Sequence, residues 1–213
     1  MEREATSNAA MSRQAMGRSV ADLPLTQAAI DFARERHRGQ RREADNASFV
    51  LHPLEVAGLL ERSHYPDHVV AAAVLHDVLE DTSTDLGELE ARFGTEVSEL
   101  VAVLTDDPGI EDEDQRKDDV RDRVRRAGPD AAAVYAADKV SKVRELRMLA
   151  ARGVAGPREV RKLRRHRKSL AMLDQIVPGN ELVDLLRLEL DVLAESPPAV
   201  TRRPSLREQI AAK

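Results

Sequence analysis

The apolar run Ala71-Ala72-Ala73-Val74-Leu75 is followed directly by His76, Asp77, Glu80 and Asp81, four ionisable side chains within six positions. Packing offers no reason for such a cluster. On a helix, residues four apart lie one above the other, which puts His76 beside Glu80 and Asp77 beside Asp81. Carboxylates near a helix C-terminus oppose the helix dipole, and like charges this close raise one another's pKa. A bound cation reverses the sign of each of these terms. His with Asp is a ligand set for a borderline or hard divalent ion such as Mn, Fe or Zn, and the pair Glu80 and Asp81 is left to act on a water beside it. The stretch reads as a metal-dependent hydrolytic centre, against the plainer alternative of an acidic, solvated helix end.

Such a centre needs a frame, and composition limits what the frame is. The chain has 213 residues, enough for one domain of moderate size with a single core. Aromatic residues are 2% of it, and Ala, Leu, Val, Arg and Glu dominate, so an all-α fold is expected. There is no cysteine, which excludes disulfides and thiolate zinc sites and leaves His, Asp and Glu to hold any metal. No apolar run approaches the roughly 20 residues of a membrane span, and the first residues lack the apolar centre of a signal peptide. A cytoplasmic protein without a membrane partner is expected. The net charge of −5 argues against bulk nucleic-acid binding.

Apolar periodicity and helix-boundary residues divide the chain. Residues 1–22 lack a sustained period and read as a mobile arm, 23–195 as one helical domain, and 196–213, rich in proline, as a disordered tail. Helices are predicted from Pro24 to about Arg36, from Pro53, from about Asp67 through Asp81, over 84–92 and 95–104, from Gln115 to Ala127, and from Pro129 past Val143. Amphipathic helices close the domain over 170–176 and 182–193. His52 stands at a helix entrance, a place more often taken by a cap or a satisfied core histidine than by a ligand. Asp138 lies among Val134, Ala137 and Val140 and needs a partner. Between the first two helices, Arg38, Arg41 and Arg42 lie in a polar loop that could grip phosphate. The stretch 106–119 holds eight Asp or Glu and reads as a solvated linker. The basic stretch 159–168 reads as a solvated helix face, since there are few aromatic rings to stack bases.

The order His52-Pro53, His76-Asp77, Asp138 resembles the H…HD…D signature of the HD-domain metal phosphohydrolases, an all-α superfamily. Two further marks, Glu80-Asp81 after the doublet and His37-x-Gly39-Gln40 before His52-Pro53-Leu54-Glu55-Val56-Ala57, make the chain similar to the hydrolase domains of the RelA/SpoT homologues. Within these it resembles the small stand-alone alarmone hydrolases, over about residues 25–149. The resemblance implies a single HD-type helical bundle and a pyrophosphohydrolase that removes the 3′-diphosphate of (p)ppGpp with Mn²⁺, other divalent ions being possible. It implies His52, His76, Asp77 and Asp138 as metal ligands, Glu80 and Asp81 as the residues that orient and deprotonate water, and Arg42 as a nucleotide contact.

The chain also departs from that family. Asp138-Lys139-Val140-Ser141-Lys142 puts Lys142 where the family has Asn, and Arg42-Glu43 stands for its Arg-Lys pair. Lys142 would either hold a substrate phosphate or weaken the metal. Two alternatives therefore stand beside the alarmone reading. One is a hydrolase of another phosphorylated nucleotide such as NADPH, and the other is a catalytically weakened nucleotide-binding regulatory module. The oligomeric state is left open.

Overall fold

The computed structural model describes residues 23–195. The arm and the tail read from the sequence lie outside the described residues. Among the described residues there is no strand, only a single bridge between Arg41 and Ser48. The helices are α1 (Pro24–Arg36), α2 (Leu51–Arg62), α3 (Asp67–Leu75), α4 (Val78–Asp81), α5 (Leu86–Phe93), α6 (Thr95–Leu104), α7 (Glu113–Ala127), α8 (Pro129–Ala151), α9 (Pro157–Ile176) and α10 (Glu181–Glu195).

Boundary chemistry sets most of these limits. Proline, with its fixed φ and no N–H to satisfy, opens α1, α8 and α9. Asp85 and Asp112 cap α5 and α7 by accepting the N–H of Glu88 and Gln115, both at 2.8 Å. Gly128 takes a φ of 98° between α7 and α8, a conformation an L side chain resists.

The core is one cluster centred on α3, every residue of which from Val69 to Leu75 is buried. That helix packs on α1, α2, α6 and α8. Its Ala71, Ala72 and Ala73 and the runs Ala131–Ala133 and Ala136–Ala137 of α8 are fully buried. Such short side chains let two backbones approach closely, which carries Asp138 towards the C-terminal end of α3.

Two predicted elements differ. The helix expected from Asp67 through Asp81 breaks after Leu75, and α4 resumes at Val78. The cause is local: the Nδ1–H of His76 donates to the carbonyl of Ala73 at 2.8 Å, the acceptor that a continuous helix would offer to the N–H of Asp77. The stretch 106–119 is not merely a solvated linker either. Asp106 takes Arg116 Nε at 3.1 Å and Lys117 Nζ at 2.7 Å, and its own N–H donates to Glu80 Oε1 at 2.5 Å.

Candidate active site

His52 is delivered by the first turn of α2, His76 and Asp77 by the break between α3 and α4, and Asp138 by the middle of α8. All four are buried, at 3–6% exposure. The Nε2 atoms of His52 and His76 lie 3.3 Å apart. Asp138 Oδ1 is 3.2 Å from the first and 3.6 Å from the second, while Asp77 offers Oδ2 to His52 at 3.4 Å and Oδ1 to His76 at 3.2 Å. His52, His76 and Asp138 form the tight group, with donor atoms within 4.8 Å of one another.

Tautomers follow from the outer nitrogens. His76 Nδ1 donates to Ala73, so its Nε2 is the lone-pair nitrogen whenever the ring is neutral. Ser141 Oγ donates its one proton to Glu55 Oε2 at 2.8 Å and therefore accepts from His52 Nδ1 at 3.0 Å. Burial alone would raise the Glu55 carboxyl, but its bonds to Arg144 and Ser141 hold it below the usual value and ionised. Both imidazoles are thus oriented with Nε2 facing the carboxylates, the arrangement by which outer partners aim metal-ligating histidines.

The donor set fits a divalent ion. Bonds of about 2.0–2.3 Å need neighbouring donors roughly 3–3.5 Å apart, which is the spacing here. Asp138 Oδ1 is buried with no hydrogen bond of good geometry, although Lys142 Nζ lies 3.0 Å from it. With only protein groups to answer the carboxylates, burial, which would lower His76, is overcome by Asp77 and Asp138, and its pKa rises to about 10. The proton there is doing what a divalent cation at the same place would do better.

His52 and Asp77 line a cavity of about 490 Å³ that is rimmed by Arg42, Glu80, Asp81, Lys142 and Lys162, while His76 and Asp138 line a smaller pocket that shares Asp77, Glu80 and Lys142 with it. The structure therefore brings the candidate ligands, the carboxylates Glu80 and Asp81, and Arg42 and Lys142 to two adjoining pockets, with qualifications for the cations. Arg42 is engaged by Asp45, its Nε at 3.1 Å from Oδ1. Lys142 is raised by its carboxylate neighbours, Asp138 and Asp77, against the pull of burial, so it is charged. Glu80 and Asp81 are exposed at the rim by surface, yet desolvation on their protein side raises both, and Asp77 adds to this.

Several participants escaped the sequence reading: Ser141, Glu55, the N–H of Asp106, and the carboxamide of Gln40. Gln40 Oε1 accepts from His37 Nδ1 at 2.7 Å, and its Nε2 donates to the carbonyl of Asp81 at 2.7 Å. The His37-x-Gly39-Gln40 stretch is thus a clamp on the end of α4. Gln40→Ala should lower kcat about tenfold, within the range of effects of positioning groups, with KM and bound metal unchanged. A rise in KM at constant kcat would assign Gln40 to nucleotide binding instead.

The chain resembles known proteins in sequence and in fold. The HD domain family model matches residues 29–170. The guanosine-3′,5′-bis(diphosphate) 3′-pyrophosphohydrolases MESH1 of Mus musculus and Homo sapiens are each 38% identical over 121 residues, covering 55% of this chain and 67% of theirs. An Aquifex aeolicus protein with the same activity in its name is 40% identical over 79 residues, 37% of this chain and 11% of its own. Among solved structures, a metazoan orthologue of SpoT described as hydrolysing ppGpp superposes with a TM-score of 0.69 at 26% identity, over 83% of this chain and 97% of its own. The matched span contains His52, His76, Asp77 and Asp138, and the chain belongs to the HD domain family.

Proposed function

We propose that the protein is a metal-dependent phosphohydrolase that removes the 3′-diphosphate of (p)ppGpp. The observation that carries this is the convergence of two oriented imidazole nitrogens and two carboxylates, of which His52 and Asp77 open onto a cavity rimmed by both cations and carboxylates. The named activity of the relatives that the chain resembles supports the choice of nucleotide. His52, His76, Asp77 and Asp138 would hold the ion, with Mn²⁺ the first to test. When bound, such an ion offsets charge on phosphoryl oxygens and lowers the pKa of a water.

The chain's own residues do the rest. Water adds across the ester bond between the 3′ oxygen and phosphorus, releasing pyrophosphate and leaving a 3′-hydroxyl. Glu80 and Asp81 orient that water and take its proton, and their raised pKa values bring them closer to neutrality as bases. Glu80 is held for this by the N–H of Asp106. Arg42 and Lys142 meet the nucleotide and its phosphates. No helix among the described residues is long and apolar enough to cross a membrane, and a cytoplasmic location goes with a nucleotide substrate.

The test is release of pyrophosphate or phosphate from ppGpp and from NADPH, each with and without Mn²⁺. Mn²⁺-dependent pyrophosphate from ppGpp is the expected result. Phosphate from NADPH alone would move the substrate, and no release from either would leave a nucleotide-binding module.

Lys142 gives a sharper test because its ammonium already lies 3.0 Å from Asp138 Oδ1. As a phosphate contact it can turn from Asp138 to the substrate once the carboxylate is shared with an ion. Lys142→Asn should then raise KM for ppGpp about tenfold, as loss of one charge-assisted contact does, with kcat little changed. Faster turnover at unchanged KM, with tighter metal binding, would show that Lys142 only disturbs the metal.

A further inference from the structure

We propose that Glu189, Arg144 and Glu55 are positioning residues for the candidate metal site, a chain of ion pairs through which α10, the last of the described helices, fixes the direction in which His52 presents its lone pair. Among the described residues three carboxylate side chains are buried, Asp77, Asp138 and Glu189, and the first two face the imidazoles of the cluster. Glu189 stands apart on α10, where Arg144 Nε donates to its Oε1 at 2.7 Å and Arg147 Nη1 to its Oε2 at 2.6 Å. The docking of α10 on α8 already has an apolar face in Leu182, Leu186, Leu190 and Leu193. A buried ion pair often adds no stability beyond that of apolar residues of the same volume, so a carboxylate kept there is better explained by the geometry it fixes.

That geometry leads to His52. Helix α2 supplies His52 and, three residues on, Glu55, while α8 supplies Asp138, then Ser141 and Arg144 at intervals of three. Arg144, held at Nε by Glu189, offers Glu55 only Nη1, at 2.9 Å from Oε1. Glu55 Oε2 is left for the Oγ–H of Ser141, at 2.8 Å. With its proton placed there, Ser141 accepts from His52 Nδ1 at 3.0 Å, and the lone pair of the neutral ring is at Nε2, facing Asp138 and Asp77.

Without Glu189, the guanidinium of Arg144 is free to meet both oxygens of Glu55 with its two-pronged fork, the arrangement it favours with a carboxylate. Ser141 then loses its place at Oε2 and turns its proton to His52 Nδ1. The ring's own N–H moves to Nε2, where an ion needs a lone pair. A ring with its proton on the wrong nitrogen is worse for an ion than a ring that merely lacks an outer partner.

The experiment is equilibrium dialysis of Mn²⁺ against the full-length chain as wild type, Glu189→Gln, Ser141→Ala and the double variant. Glu189→Gln should weaken Mn²⁺ binding about tenfold, the lower end of what loss of an outer partner does. Ser141→Ala alone should weaken it by no more than that. In the Ser141→Ala background, Glu189→Gln should change binding by less than about twofold, because no hydroxyl proton remains to turn. A role confined to holding α10 in place does not produce that dependence. Should Glu189→Gln fail to fold, Glu55→Gln tests the middle of the chain: Arg144 takes the amide oxygen, the amide N–H faces Ser141, and the loss should again need Ser141.

Mn²⁺ binding unchanged in both Gln variants overturns the proposal, as does a loss of equal size with and without Ser141, or a greater loss from Ser141→Ala than from Glu189→Gln. The relay rests on the hydrolase reading for its ion, and ppGpp turnover separates the two. A wild-type chain that binds Mn²⁺ with the expected dependence yet leaves ppGpp intact keeps the relay and removes the hydrolase reading. Hydrolysis of ppGpp with Mn²⁺ binding indifferent to Glu189 and Glu55 does the reverse.

Discussion

Asp138→Ala is expected to hold less than about a tenth of the Mn²⁺ that the wild-type chain holds after loading and gel filtration, because loss of a ligand exceeds the 10–100-fold typical of its outer partners. Asp138 Oδ1 is a single carboxylate oxygen within 3.2 and 3.6 Å of the two Nε2 atoms, and its loss leaves Asp77 as the one carboxylate facing both imidazoles among the described ion pairs. Electrostatics enlarges the effect. In the variant, the ammonium groups of Lys139 and Lys142 lose the carboxylate they share, and both then oppose a cation at the cluster. Wild type should bind about one ion per chain and melt roughly 5–10 °C higher with saturating Mn²⁺, since a ligand bound only by the folded state stabilises it. Asp138→Asn, which keeps the shape, guards against a folding defect and should also lose the thermal gain. Equal metal content in wild type and both variants would remove Asp138 from the site.

The helices were legible because their signals are local. Pro24, Pro129, Asp85 and Gly128 act on residues one to four positions away, and the fully apolar 69–75 run leaves only the centre of the core as its place. His76, Asp77 and Asp138 stood out for a different reason, as titratable groups beside or within apolar helical runs that need a partner there, whereas His52 read as a cap or core histidine until the family resemblance singled it out.

What the sequence hid is tertiary. Ser141 meets His52 across 89 residues, and Gln40 meets Asp81 across 41, spans on which no periodicity reports. The break at His76 depends on which proton donor wins a single carbonyl, a competition between a ring N–H and a backbone N–H that residue types leave balanced. The acidic stretch misled for a related reason. Its composition is that of a solvated linker, but Asp106 finds Arg116 and Lys117 ten and eleven residues onward and hands its N–H to Glu80. The basic face of α9 likewise read as solvation, whereas Lys162, Arg165 and His166 turn inwards to a cavity that only the packing of α7 and α8 encloses.

Glu80→Gln and Asp81→Asn should each keep the metal and lose turnover by on the order of 10²-fold or more, the size expected of a group that moves a proton in the transition state. Neither carboxylate belongs to the tight donor group of His52, His76 and Asp138, so the bound ion should be indifferent to their charge. The amide of Gln still accepts the N–H of Asp106 through its oxygen, so Glu80→Gln preserves the tether and removes only basicity. The pH profile separates proton transfer from shape. Desolvation and the nearby Asp77 raise both carboxyl groups above their ordinary values, so in wild type the rate should fall as pH drops through those raised values. Ionisation of the base is favoured above its pKa, and activity is therefore present on the alkaline side and lost on the acid side. Each variant should lose part of that acid limb along with its rate. Because the two act on one water, the double variant should be little worse than the poorer single one. Near-wild-type kcat in both single variants, or losses that multiply in the double variant, would take the pair out of a shared role in proton transfer.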